Sequence, residues 1–183
     1  MTGLSAFTCF VHCSMPVQPP LIITLSLDKL SQDYFTKLRN QYYPRYCNRL
    51  DAHLTLFHHL PADLPGIEEI LRTAVKRNII DLQVAGVSNT GNGVAFTVIS
   101  EELLQLHKEL QLLFDPHLRA KDRTRLWPHI TIQHRVTAYK AKQTQEILMK
   151  DFEPFSIRGT GLATWLYLKG PWQPLHNYLF TTG

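Results

Sequence analysis

Cysteine is scarce in this chain of 183 residues: Cys9, Cys13 and Cys47 are all there is. Three such residues make no disulfide framework. Cys9, His12 and Cys13 lie close together, but no second cluster completes a zinc site, so the thiols are read as reduced and intracellular. No apolar run reaches the ~18 to 20 residues of a membrane span. The first twenty residues lack a basic stretch ahead of their apolar part, which argues against a secretory signal. Residues 1–20 are read as an irregular extension running into Pro16, Pro19 and Pro20, with Met15 as an alternative start, and the expected compartment is the cytoplasm. Acidic residues are the minority charge, 15 against 19 Lys and Arg, giving +4 and a pI near 9.0. That excess suits a polyanionic partner without requiring one.

What is present is a hydrophobic fraction of 44%, a charged fraction of 19% and nine histidines. This length buries the core of one domain, or of one domain with two lobes. Leu21–Leu27 (LIITLSL) reads as a strand, and Asp28 to Tyr43 as an amphipathic helix with Leu30, Tyr34, Leu38 and Tyr42 at spacings of four. His53–Leu60 is a short strand. Leu64–Arg77 is a helix with Ile67, Ile70, Leu71 and Ala74 on one face, and Ile79–Val87 returns as a strand. Ser88–Gly93 is a turn rich in Asn and Gly. Then come a strand at Val94–Ile99 and a helix at Glu101–Phe114, whose apolar stripe is Leu103, Leu106, Leu110 and Leu113. A basic loop leads to a strand at His129–Val136 and a helix at Tyr139–Lys150. Phe155–Leu168 reads as a strand broken near Gly159 and Gly161, and Trp172–Phe180 as a last strand.

Set side by side, these elements repeat. Strand, helix, strand, helix, strand runs from Leu21 to Val87 and again from Val94 to Leu168. The predicted fold is α+β: a bilobal pseudo-two-fold repeat whose antiparallel sheets flank a central cleft. Residues 21–183 then form a single bilobal domain, with halves at about 21–88 and 93–183 and no low-complexity linker between them.

The third element of each half opens on the same tetrad: His53-Leu54-Thr55-Leu56 and His129-Ile130-Thr131-Ile132, with the histidines 76 residues apart. At this composition about 0.15 such tetrads are expected by chance. Two, in equivalent places of a repeat, are a signal. Strand alternation sends His and Thr to one face and the aliphatic pair to the other. Imidazole accepts and donates protons near pH 7. Two of them on opposite sides of a phosphate can deprotonate a water and protonate a leaving oxygen, with a rate maximum near neutrality. The threonine hydroxyls can donate to non-bridging oxygens. This chemistry needs no metal or other cofactor, and no metal-ligand motif is present.

The two tetrads, Pro128 just before the second, and the repeat resemble the two-histidine phosphoesterase superfamily, in particular its 2′-5′ RNA ligase and cyclic phosphodiesterase branch. The resemblance runs from about Leu21 to the C-terminus. It implies a bilobal α+β fold with the motif strands side by side across a cleft. It also implies an enzyme that opens 2′,3′-cyclic phosphates, usually to 2′-phosphates, or reversibly forms 2′-5′ links. RNA ends or cyclic nucleotides are the implied substrates, and a monomer is expected. By position, His53 and His129 become the catalytic pair, with His129 as base for the water, and Thr55 and Thr131 the phosphate-binding hydroxyls. The competing function is a catalytically idle RNA- or nucleotide-binding module using the same cleft.

Further residues carry two readings each. Phe57 and His59 continue the His53 face, and Gln133 and Arg135 the His129 face; Arg135 is either a phosphate contact or a rim ion pair. His58 and His134 fall on the aliphatic face as semi-buried hydrogen-bonding residues. His107 and His117 read as helix-surface and helix-end residues. Arg119, Lys121, Arg123 and Arg125, followed by Trp127, combine basic groups with an aromatic, which suits RNA. The same run, diluted by Asp122, also reads as solvated loop. Trp165, Tyr167 and Trp172 read as packing residues by default, with base stacking as the alternative.

Overall fold

Seven residues, Leu21–Leu27, form β1 directly after Pro19 and Pro20, and alternate ones of them are in the core. The computed structural model describes residues 19–181; the N-terminal extension with Cys9, His12 and Cys13 lies outside the described residues. Asp28 caps α1 (Lys29–Tyr42), its carboxylate accepting from the Ser31 N–H at 3.0 Å. There follow β2 (Leu54–Leu60), α2 (Ile67–Ala74), β3 (Ile80–Asn89) and β4 (Val94–Ile99). Ser100 caps α3 (Glu101–Phe114) and Thr137 caps α4 (Ala138–Met149) in the same way, as side-chain oxygens at N-caps do. Between those helices lie two 3-10 turns, Asp115–His117 and Ala120–Arg123, and β5 (His129–Gln133). The chain closes with β6 (Phe155–Tyr167) and β7 (Trp172–Leu179).

All strands join one antiparallel sheet in the order β2-β1-β6-β3-β4-β5, with β7 beside β6. The α+β class and the repeated element order are as the sequence predicts. Pairing makes the pseudo-symmetry explicit: β1–β2 matches β4–β5, β1–β6 matches β4–β3, and β3–β6 lies on the axis. Each half thus gives its third strand to the other. The two motif strands are the ends of this path, and the sheet curls enough for β2 and β5 to touch. The helices bury one face of the sheet with Phe35, Leu71, Leu103, Leu106, Leu110, Phe114 and Ala141, against Ile23, Leu25, Leu54, Leu82, Phe96 and Ile130. The opposite face carries Thr24, Ser26, Thr55, Ala95, Thr131 and Ala163, with Ile22 and Trp165 as its large members.

Three local expectations need correcting. On α1 the buried line is Ser31, Phe35 and Arg39, while Leu30 and Tyr34 are exposed. A spacing of four drifts about 40° per step around a helix of 3.6 residues per turn, so such a line cannot stay on one face. On α3, Leu113 is exposed, and Phe114 and His107 complete the buried stripe. β6 is unbroken, because Gly159 and Gly161 serve close approach instead of interruption: a Cβ on Gly161 would stand 2.2 Å from the Tyr178 carbonyl oxygen. Among the described residues no helix is long and apolar enough to cross a membrane.

Candidate active site

His53 stands one residue before β2 and His129 is the first residue of β5. Each ring places its Nδ1 2.8 Å from the backbone carbonyl two residues earlier, Asp51 for His53 and Trp127 for His129. A carbonyl only accepts, so Nδ1 carries the hydrogen and Nε2 is the free nitrogen of the neutral ring. Each imidazole also rests on a tryptophan. Trp172 lies 4.6 Å from His53 between centroids, and Trp127 stacks on His129 at 4.4 Å and 20°. The two sites are therefore alike down to the tautomer, though the tryptophans come from unrelated elements. Trp172 sits beside His53, where the sequence default was packing alone.

One buried cation ties the sites together. Arg39 of α1 donates from Nε to the Leu50 carbonyl and the Asn48 side chain, both at 3.0 Å, and from Nη1 to the Thr131 carbonyl at 2.8 Å. It thus holds the segment entering β2 against β5. Its guanidinium lies 4.0 Å above the Tyr43 ring. Burial, and then this guanidinium, push the His53 imidazole down to about 4, and a charge on His129 adds to the effect. Burial also lowers His129, against the opposing hydrogen bond to the Trp127 carbonyl. Both rings are neutral at pH 7 in the free protein.

Thr55 and Thr131 are half-buried, and their hydroxyls have no hydrogen-bond partner among the described residues. Across the ladders, Thr24 faces Thr55, and Ala95 faces Thr131. Small residues at these positions keep the floor between the motif strands open. Beside His53 the floor widens into a cavity of about 620 Å³.

Just past each threonine the ladder slips. Thr24 pairs with Thr55 but Ile23 with Phe57; Ala95 pairs with Thr131 but Val94 with Gln133. At that point each motif strand has one extra residue, a β-bulge, and the inside–outside alternation inverts beyond it; β2 slips once more between Phe57 and Leu60. Phe57 and Gln133 are fully buried, not on the His53 and His129 face. His58 moves to the cleft side instead, close enough for its charge to act on both His53 and His129. The second bulge needs Gly93, where a Cβ would stand 2.0 Å from the Gln133 carbonyl oxygen. Arg135 does not continue the His129 face: β5 ends at Gln133, and Arg135 is exposed in the left-handed region at φ 61°.

The basic loop divides. Arg123, itself exposed, is paired onto the Asp115 carboxylate and carbonyl and the Leu118 carbonyl, so it is spent on the loop itself. Asp122, read as a dilution of positive charge, is buried and accepts from the N–H groups of His58 and His59 at 3.0 and 3.1 Å. Burial works to raise its carboxyl, but these bonds and that of the His58 ring outweigh it and hold it below the usual range. Arg119, Lys121 and Arg125 remain exposed, as does Trp127. Lys121 reaches His129 with its charge, whereas Arg125 lies with Leu104 and Leu126 against α3. His107 is not a surface residue: it stacks on Phe57 at 4.7 Å, with Nε2 3.2 Å from the Leu56 carbonyl. Among the described residues no three His, Cys, Asp or Glu side chains gather as a metal site would.

Comparison with known proteins gives a family and a fold. A sequence profile of the 2′-5′ RNA ligase superfamily matches residues 27–171. TT0787 of Thermus thermophilus superposes with a TM-score of 0.62 at 14% identity, over 89% of this chain and 98% of its own. LigT of E. coli, solved with 3′-AMP, gives 0.58 at 16% identity, over 90% and 99%. The same protein with phosphate gives 0.57 at 16%, over 91% and 100%. No curated protein sequence matches the chain.

Proposed function

This chain belongs to the 2′-5′ RNA ligase superfamily of two-histidine phosphoesterases, and from that premise we propose that it opens 2′,3′-cyclic phosphates at RNA or nucleotide ends. The observation that carries the proposal is the matched pair of imidazoles, each with Nδ1 tied to a carbonyl and Nε2 free. Water attacks phosphorus as His129 Nε2 takes its proton. The bond to the ribose 3′ oxygen breaks, His53 in its charged form, carrying the pair's one extra proton on Nε2, protonates that oxygen, and a 2′-phosphate remains. With a ribose 5′ hydroxyl in place of the water, the same transfers form a 2′-5′ link as the bond to the 3′ oxygen breaks; run backwards, the 3′ hydroxyl attacks and that link is opened to the cyclic phosphate. The cavity beside His53 supports putting the ribose on that side. LigT is a protein of this fold that has been solved with 3′-AMP and with phosphate, ligands of the class proposed here.

The direct test is incubation with a 2′,3′-cyclic nucleotide and with a cyclic-phosphate-ended RNA, followed by product analysis. A 2′-phosphate is expected from both. Binding of both without product would leave a nucleotide-binding module instead.

Burial changes the pH dependence. The reacting form has one proton on the pair, whichever ring holds it at rest, and the limbs belong to the pair. Both rings are lowered, His53 to about 4 and His129 below 6.5. Raising the pH through the His129 range removes the needed proton; lowering it through the His53 range adds a second and blocks the base. The maximum of kcat/KM is therefore expected between about 4 and 6.5, on the acid side of the neutral optimum that unperturbed rings imply. A profile from pH 3.5 to 9 checks this, and a maximum at pH 7 or above contradicts it.

Thr55→Ala and Thr131→Ala should each cost ~1 to 3 kcal/mol in kcat/KM, the range for hydrogen bonds to charged groups. Steady-state kinetics with a cyclic nucleotide provide the check, and unchanged kcat/KM would remove the hydroxyls from the phosphate site.

A further inference from the structure

Among the described residues six of the seven strands have a counterpart across the pseudo-two-fold axis and β7 has none. β3 pairs with Phe155–Gly159 of β6 and then leaves, and β7 takes the same edge from Gly161 to Tyr167. Its effect falls on one side only. Beside His129, Trp127 lies flat on the ring, and among the described residues no strand stands in the place of β7. Beside His53, β7 makes the sheet floor into the wall of the 620 Å³ cavity, within the roughly 300–1,000 Å³ of small-ligand sites.

The lining has the chemistry of a nucleotide. Trp165 donates its ring N–H to the Thr24 hydroxyl at 2.9 Å, which fixes the indole. Trp172 stands 6.2 Å from it, inclined at 56°. Both indoles are half-buried, the condition in which aromatic side chains stack bases. Asn177 accepts from the Ser26 hydroxyl through its amide oxygen, leaving its NH₂ group to donate. Arg49 is exposed at the rim and has no ion-pair partner among the described residues. Its Nη1 would stand 3.2 Å from a Cβ on Gly170, so the guanidinium is laid across the turn between β6 and β7.

We propose that this cavity is a strand-binding subsite: the nucleoside bearing the reacting phosphate lies against Trp165 and Trp172, and Arg49 takes the phosphodiester on its 5′ side. The proposal rests on the phosphoesterase reading above and narrows it from nucleotide and RNA ends alike to ends of an RNA strand. A free cyclic mononucleotide offers Arg49 nothing to hold. A strand does, and Arg suits the bidentate geometry of a phosphate.

The test pairs kinetics with binding. The wild type should show a lower KM for a trinucleotide ending in a 2′,3′-cyclic phosphate than for the cyclic mononucleotide. Arg49→Ala should raise the trinucleotide KM about tenfold and so remove that preference, with kcat little changed. Trp165→Leu, which keeps apolar bulk, should raise KM for both. Binding is followed separately by fluorescence polarisation of a 5′-labelled trinucleotide with a 3′-terminal phosphate, which needs no turnover; Arg49→Ala and Trp165→Leu should each weaken it about tenfold. Thermal melts establish that both variants are folded. Binding that depends on Arg49 and Trp165 without turnover of any substrate supports the subsite and sinks the phosphoesterase reading. Turnover with a preference and an affinity that neither substitution alters overturns the subsite and leaves the phosphoesterase reading intact.

Discussion

Replacing His53 or His129 by alanine is expected to lower turnover of a 2′,3′-cyclic phosphate by ~10² to 10⁴-fold, the contribution of one general acid or base. Each ring brings a single free Nε2, and no neighbouring group duplicates it. His58 lies near both but is held by Asp122 through its Nδ1 at 3.3 Å. The pair works as a unit, so the double substitution should cost little more than either single one. Stability should suffer little, because both rings are half-buried at a cleft surface. Single-turnover kinetics beside thermal melts separate the two effects. A folded His53→Ala or His129→Ala protein with wild-type turnover would show that the pair has been misassigned.

The second large effect is expected at Arg39, which touches no substrate. Arg39→Ala removes a buried side chain that satisfies the Leu50 and Thr131 carbonyls and the Asn48 amide oxygen. Leaving such groups unpaired costs ~1 to 3 kcal/mol each, so a net loss of about 3 to 5 kcal/mol in unfolding free energy is reasonable. Activity should fall beyond that, because the clamp between the β2 entry and β5 is lost and the two imidazoles are no longer held at one spacing. Arg39→Lys keeps the charge but cannot make the same forked contacts, and should fall between wild type and alanine. Arg39→Met separates charge from packing. Without the guanidinium, the second cause of the low His53 value, the acid limb of the pH profile should move upward. Denaturant melts and the pH profile are the measurements; an Arg39→Ala protein of wild-type stability would contradict the clamp.

How far the site could be read beforehand depended on how local each signal was. A His-x-Thr-x tetrad is four consecutive residues, and over four residues strand alternation holds, so His53, Thr55, His129 and Thr131 were legible. One step beyond, it failed. The bulges at β2 and β5 depend on the pairing strands, on Ile23 and Thr24 of β1 and on Val94 and Ala95 of β4, with Gly93 making room. Extrapolated alternation therefore put Phe57 and Gln133 in the cleft and His58 outside it, the reverse of what the ladders do. Arg39 had one sequence trace, a charge among the inward positions of an amphipathic helix, but its three acceptors lie 9, 11 and 92 residues away. Asp122 looked like diluted charge because the N–H groups it caps belong to a strand more than 60 residues earlier.

Local periodicity and capping, together with the repeated tetrad, were enough for the sequence by itself to determine the element order and the α+β class, and to single out the four motif residues proposed here as the reacting site. Hydrogen bonding and side-chain alternation between near neighbours are written in consecutive residues. Only the tertiary structure decided that each half lends its third strand to the other, that one buried arginine clamps the motif strands, and that β7 builds a cavity on the His53 side alone. Those features arise where distant segments meet, and the pairing that brings them together is chosen by the burial of the whole core.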